Sequence, residues 1–544
     1  MKNQSVNQKK RGTYVNIDAD MFAYIWYGCK GDFSNIRKKL ELYIEGYKNH
    51  GISDLLFCVL SQSSLIPSNH VGFMRDTYYR KWENGKAVDY SKESHVLATD
   101  RIYSELDDPY GYIIELARRA GIRPWLSYRM NDCHHSHADN SALRCDEIYY
   151  TAKRNGWFIG DHVAGEYYGE CIDYSVEYFR NLHLKYIRES LEKYDVYGIE
   201  LDFLREIFCF DYLARCDCAE IMTDFIREVR RITDEIGDRR GHKIKLLVRV
   251  VRDIENNLIF GFDVRRWAEL GLVDIISPCS RWQTTDSDMP IHEWRDMLKP
   301  YGVELLAGIE YFLWDRIAVD DDSMRALTAQ YIDDGADGIY LYNYYREAVA
   351  LADMTEWNAK NPDFVLYGGE TVTALSDDEK RIWEGPDLTA IDARKLPLWE
   401  IAADPEGARG GTRRHVMTYT EPSLVPKGGN AYRPLPRKVD GEVILEKLTG
   451  STEGREVRLY IGIQQDDVLP EVTVDGKRAE YLGVTDDSYV QNPVDEGNTY
   501  ARYKDFVFHS YKVMPSKEVW RKITFKSPCA TLEYFEIKVE SLRK

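Results

Sequence analysis

The sequence predicts a (β/α)8 TIM barrel followed by a C-terminal antiparallel β-sandwich. Three observations carry that prediction. Eight short apolar runs alternate with stretches of helical period over roughly the first 350 residues, the pattern of a closed parallel barrel, and no Gly-rich phosphate fingerprint follows the first run. Polar groups recur at or just after the carboxyl ends of those runs, at Asp18, Arg129, Asp202, Arg249, Arg281, Glu310 and Asn343, the face on which barrel active sites are built. Beyond residue 361 the helical period stops and short alternating runs take over. The expected division is a disordered tail at 1–11, a catalytic barrel at 12–361 and a β-rich accessory domain at 362–544.

The first strand is read at 14–20, where Asn16, Asp18 and Asp20 share one face. Ile36, Leu40, Tyr43, Ile44 and Tyr47 then recur at helical spacing, and Gly51 closes that helix before a strand at 54–60. A long polar connection to about Asp108 is expected next, followed by a helix at 112–120. The third strand, at 125–130, delivers Arg129 to its end. About forty residues rich in His, Tyr and Gly follow, and a loop that long inside a compact domain is usually functional. Val176, Phe179, Leu182, Tyr186, Ile187 and Leu191 mark an amphipathic helix. It leads to a fourth strand at 197–204, with Glu200 and Asp202 on one face and Arg205 and Glu206 just beyond. A helix through Phe225 and Ile236 precedes the fifth strand, 245–251, which carries Arg249. Helix and strand repeat at 264–270 and 273–278, at 294–298 and 303–310, and from a cap near Asp322 to 337–343. Runs at 456–463, 471–474 and 532–539, separated by Gly, Asp and Pro, make the sandwich.

Composition narrows the partners. A formal charge of −18 would hold nucleic acid against the protein's own field, which excludes it. No apolar run is long enough for a membrane. The first dozen residues are basic but lack the apolar core of a secretory signal, and ten cysteines without a framework read as reduced thiols, so a cytoplasmic setting is expected. The 39 tyrosines and 12 tryptophans suit sugar faces as well as cores, and those in the long loops would also serve a homodimer.

The chemistry concentrates after the third strand. Arg129 and His134, five residues apart, bring a binding group and a proton-transfer group to one strand mouth. Carboxylates at the same mouth suit glycoside hydrolysis, in which one group protonates the leaving oxygen and another activates water or attacks the anomeric carbon. On the acids alone, Glu310 with Asp202 or Glu206 would be a retaining pair, while Glu200 reads as a buried member of an ion network in the lumen. Arg129, Arg205, Arg249 and Arg281 around one cleft of an acidic protein suit an anionic substrate, because the planar fork pairs a carboxylate bidentately. The competing reading is that Arg249 and Arg281 orient internal carboxylates. His134, His135 and His137, with Asp132 and Asp139 nearby, lie on an irregular stretch and make a weak ligand set, so neither a metal nor another cofactor is expected.

The string Arg129-Met-Asn-Asp-Cys-His134, with Asp18 on strand one, Arg205 after strand four and Asn343 ending strand eight, resembles the inverting exo-sialidases of glycoside hydrolase family 156. Those are barrels with an added β-domain, so the resemblance spans most of the chain in architecture. It implies Asp18 as base and His134 as acid, Arg129 and Arg205 on the substrate carboxylate, and Asn343 on the ring substituents. Asp202, Glu310 and Arg249 complete the expected substrate-binding set. The same strings also look like those of a wider set of uncharacterised barrel hydrolases, and Asp20 is the alternative base. Inversion is physically coherent for a sialoside: its carboxylate sits on the anomeric carbon and repels a carboxylate nucleophile, whereas water attacks the opposite face with the base standing back. The expected partner is a sialylated glycan or related acidic sugar. The alternatives are a uronic or neutral sugar cleaved through Glu310 and Asp202 and, in another class, a carbohydrate-binding protein with no chemistry.

Overall fold

The computed structural model describes residues 12–19, 21–22, 25, 36–48, 52–61, 63–73, 82–83, 86–87, 94–133, 147–211, 217–281, 284–310, 312–313, 317–318, 321–342, 412–418, 434–491 and 506–540. The expected tail and the expected domain boundary at 361/362 lie outside them.

Eight parallel strands close into the predicted barrel: β1 (Thr13–Ile17), β2 (Asp54–Leu60), β3 (Arg123–Arg129), β4 (Gly198–Asp202), β5 (Lys245–Val251), β6 (Ile275–Cys279), β7 (Glu304–Glu310) and β8 (Gly338–Tyr342). β1 pairs with both β2 and β8, which closes the ring. β2 and β5 match the sequence reading residue for residue, because their apolar runs are uninterrupted. Inside the ring, Tyr14, Leu56, Trp125, Leu247, Ile275, Leu306 and Tyr340 form a packed core, as the narrow lumen of an eight-stranded barrel requires. Gly198 is needed there: a Cβ at that position would lie 2.2 Å from the Trp125 ring. At the amino-terminal end, Asp54 accepts from Arg123 at 2.7 and 2.6 Å and from the Trp125 indole at 2.7 Å, a fully bonded structural plug.

The helices around the ring include α1 (Ile36–Lys48), α2 (Ser94–Glu105), α3 (Pro109–Arg119), α4 (Glu147–Asn155), α5 (Glu177–Lys193), α6 (Cys218–Arg240), α7 (Val264–Glu269), α8 (Ile291–Leu298) and α9 (Asp321–Asp333). Local chemistry sets their ends. Asp108 caps α3 by accepting from the Gly111 amide, Pro109 opens it, and Arg118 and Arg119 sit against the negative end of its dipole. Asp217 caps α6, and Gly241 ends it at a left-handed φ of 76°. Two expectations are corrected here. The polar connection before Asp108 contains α2, and the forty-residue loop after Arg129 contains α4. Among the described side chains, α2 buries Ala98, Ile102 and Tyr103, and α4 buries Tyr149 and Ala152, in stretches whose polar residues hide the helical period. Among the described residues, no helix is long and apolar enough to cross a membrane.

The second domain is an antiparallel sandwich of β9 (Arg413–Met417), β10 (Arg437–Leu448), β11 (Val457–Gln464), β12 (Glu471–Val474), β13 (Lys477–Arg478), β14 (Glu480–Val484), β15 (Phe506–Val513) and β16 (Trp520–Val539). The long β16 unites it. Its first half pairs with β10 and β12, its second half with β9 and β11. The domain is docked through polar contacts: the buried Lys447 ammonium reaches the Ser287 carbonyl and Asp288, both at 2.8 Å. Arg437 reaches the same aspartate at 2.9 Å, and the Trp520 indole donates to Asp333 at 2.7 Å.

Candidate active site

Strand register brings the charged strand ends into one layer. Arg129 lies opposite Asp202, Asp202 opposite Arg249, and Glu310 opposite Tyr342. Asp18, one residue past β1, completes the ring at 5% exposure. Arg129 donates through Nη2 to Asp18 and through Nη1 to Asp132 at 3.2 Å, so one guanidinium from β3 fixes two carboxylates. In the same motif, Asn131 acts as a clamp. Its amide donates to the carbonyls of Ile172 and Phe208 at 3.0 and 2.9 Å and accepts from the Ile172 amide at 3.1 Å, which ties the excursion after α4 to the strand mouth.

Asp202 Oδ1 accepts from the backbone amides of Leu204 and Arg205, both at 3.0 Å, and from Arg249 Nη1 at 2.8 Å. Its Oδ2 is buried without a hydrogen-bond partner among the described residues. The other end of the Arg249 fork lies 3.7 Å from Glu310 Oε2, too far for a hydrogen bond. Neither Glu310 oxygen has a hydrogen-bond partner among the described residues. Burial pushes that carboxyl up to about 8, against the pull of Arg249 and Arg205. The Arg249 guanidinium stacks over the Tyr342 ring at 3.4 Å.

A third pair, Arg281 with Glu206, is fully buried. Tyr167 donates to Glu206 at 3.0 Å and Tyr168 lies under Arg281 at 5.3 Å, both from the long excursion after β3. Arg205 shares the field of Arg129, Asp132, Glu206 and Tyr342. Among the described residues, four guanidiniums (129, 205, 249, 281) face five carboxyls (18, 132, 202, 206, 310) at formal charge. Glu310 keeps its proton at neutral pH, which brings the two signs close to balance.

The structure thus gathers Asp18, Arg129, Asp202, Arg205, Arg249, Arg281 and Glu310 at one mouth. Arg249 and Arg281 each orient an internal carboxylate, as the competing sequence reading has it. Glu200 stands one layer lower in the lumen, bonded by Asn16 at 2.8 Å and by Tyr340. His134, His135, His137, Asp139, Asp20 and Asn343 lie outside the described residues. Among the described residues, no group of His, Cys, Asp and Glu is arranged to hold a metal. The sequence reading missed Tyr342, Tyr167, Tyr168 and Asn131. Tyr342 had a usable signal, since strand alternation puts Tyr340 and Tyr342 on one face at the end of β8.

No protein-family model and no curated protein matches the sequence. Solved structures similar to the chain include an endo-beta-1,4-mannanase from Thermotoga petrophila, 11% identical, with 98% of each chain covered and a TM-score of 0.41. A cycloisomaltooligosaccharide glucanotransferase from Paenibacillus sp. is 9% identical over 99% of this chain and 58% of its own, with a TM-score of 0.34. A GH36 alpha-galactosidase from Geobacillus stearothermophilus is 11% identical over 97% of this chain and 56% of its own, with a TM-score of 0.35. The chain therefore spans a little over half the length of the latter two.

Proposed function

We propose that this chain is an exo-acting glycoside hydrolase that removes a terminal anionic sugar, in the first place sialic acid, with inversion at the barrel mouth. The observation that carries the reading is the Asp18–Arg129–Asp132 cluster: a buried carboxylate from β1 is fixed by a guanidinium from β3, at the head of the segment that leads to His134. Asp18 takes a proton from the attacking water as its oxygen bonds to the anomeric carbon. His134 gives a proton to the leaving oxygen as the glycosidic bond breaks. Arg129 and Arg205 supply positive charge for the sugar carboxylate, Asn343 meets the ring substituents, and Asp202, Arg249 and Glu310 form the floor. Inversion requires a gap of roughly 6.5–9.5 Å between base and acid to admit the water.

One observation favours a second reading. Glu310 stays protonated at neutral pH, as a general acid must, beside an Asp202 held by three donors. That pair would act by retention on a uronic or neutral sugar. Incubation with an aryl α-sialoside, followed by proton NMR from the first minutes, separates the readings. Early release of the β-anomer supports the Asp18 and His134 assignment. Early release of the α-anomer establishes retention and moves the chemistry to Glu310 and Asp202. Cleavage only of uronic or neutral aryl glycosides discards sialic acid. Sugar binding without cleavage of any of them reduces the chain to a carbohydrate-binding protein.

A further inference from the structure

Beside the charged ring, a cleft opens between the end of β3 and the helices α4 and α5. Arg129 and Asp132 stand at one end of it. Phe158, Ile172, Phe179 and Leu182 provide apolar wall, and Glu170 and His183 add polar groups to it. The Asn131 clamp holds the wall that carries Ile172, so the cleft is built by the same motif that builds the charged ring.

The hydrogen-bond wiring fixes what His183 offers. Tyr174 lies within hydrogen-bond distance of both the Met130 carbonyl and His183 Nδ1, the latter at 3.0 Å. A carbonyl only accepts, so the single tyrosine proton goes to Met130 and the Tyr174 oxygen must accept from His183 Nδ1–H. Nε2 is then a bare lone pair, with the ring neutral because burial pushes its pKa down to about 4. Glu170 accepts from Tyr149 at 3.1 Å and is itself only an acceptor when ionised. Asp132 at the rim is another acceptor, bonded by Arg129, and Lys153 stands 3.9 Å from Glu170. Among the described residues, the lining joins aromatic and aliphatic wall to the acceptors Glu170 and His183 Nε2, which suits a ligand that donates hydrogen bonds from hydroxyls and carries an apolar face. It repels an anion.

We propose that this cleft is a second sugar subsite, specific for a neutral, hydroxyl-bearing pyranose, and that it seats the leaving group of the glycoside split at the charged ring. The seating role rests on the hydrolase reading; the binding of a neutral sugar does not. Arg129 belongs to both compartments, so it marks the border between an anionic sugar on the Asp18 side and a neutral one on the Glu170 side.

The test is saturation-transfer NMR with methyl β-D-galactopyranoside and methyl β-D-glucopyranoside on the full chain, compared with Ala152→Phe, which fills the cleft, and Glu170→Gln. Binding of at least one pyranoside, weakened about fivefold or more in both variants, is expected. Steady-state kinetics should then show KM rising by a similar factor for a substrate with a sugar leaving group. Where Ala152→Phe does not fold, as judged by its thermal melt, Glu170→Gln carries the comparison alone. Failure of both pyranosides to bind the wild type, or undiminished binding in a folded Ala152→Phe, overturns the subsite. Binding that the variants abolish, in a protein that cleaves no glycoside, overturns the leaving-group role and the hydrolase reading while the sugar site stands.

Discussion

Glu200 and Glu310 are buried glutamates in the same barrel, yet they are wired in opposite ways. Burial pushes both carboxyls up, to about 7 and about 8. Glu200 has a donor on each oxygen, Asn16 on one and Tyr340 on the other. Glu310 has a hydrogen bond on neither among the described residues, and a guanidinium just beyond reach. A satisfied carboxyl in the lumen specifies packing, whereas an unsatisfied one costs about 1–3 kcal/mol and is retained where a ligand or a proton transfer completes it. Burial and a raised pKa are common to both regions. Among the described residues, the missing partners set Glu310 apart from Glu200.

The largest expected effect is at the mouth. Asp18→Asn keeps an acceptor for Arg129 but removes the base, so kcat on an aryl glycoside should fall by about 10²–10⁴-fold while the melting temperature moves by only a few degrees. Measured beside Glu310→Gln, the same assay locates the chemistry. Near wild-type turnover in Asp18→Asn with an inactive Glu310→Gln would transfer it to the second pair.

Stability should sort the two glutamates the other way. In Glu200→Gln the new amide can donate to the Tyr340 hydroxyl only if that hydroxyl turns its proton away, so the bond Tyr340 gives the carboxyl is lost and stability should fall by about 1–3 kcal/mol. Glu310→Gln replaces a protonated carboxyl with an amide of the same shape and should shift stability by less than about 1 kcal/mol at neutral pH. Thermal melts of both variants check this, and a larger loss for Glu310→Gln would break the comparison.

Titration sharpens it further. Both carboxyls have folded pKa values above the ordinary 4.5. As pH rises the unfolded chain therefore releases its protons first, and the stability these groups contribute is complete below about 4.5 and lost progressively up to about 8. The wild type should melt several degrees lower at pH 8 than at pH 5. Glu310→Gln removes one of the two titrations and should flatten that slope; an unchanged slope would mean that Glu310 is ionised in the fold.

The eight strands were legible because an apolar run broken by a single charge is a strong local signal, and the charged ring was legible for the same reason: Asp202 and Glu310 each end such a run. What those charges do to one another was not legible. The Arg249–Asp202 pair follows from the register of β4 on β5, and the Arg281–Glu206 pair joins the ends of β4 and β6. Register depends on how the whole ring closes, which no local window contains. Asn131 is a further case. Within its motif it reads as one more polar residue beside Arg129 and Asp132, and only the returning chain at Ile172 makes it a clamp. The helices α2 and α4 went unread because polar residues interrupt their apolar period, and tertiary contact, not periodicity, stabilises them.

The smallest expected effect separates the face of a residue from its hydroxyl. Tyr342 lies under Arg249 through its ring, and its buried hydroxyl has no hydrogen-bond partner among the described residues. Tyr342→Phe keeps the ring face and deletes an unsatisfied polar atom, so the melting temperature should stay level or rise by a degree or two, within about 1 kcal/mol. Turnover should stay within about twofold, because only the ring acts on the guanidinium that orients Asp202. A loss of activity with unchanged stability would instead give the hydroxyl a partner in the substrate, and Tyr342 would join Glu310 among the mouth residues that the substrate completes.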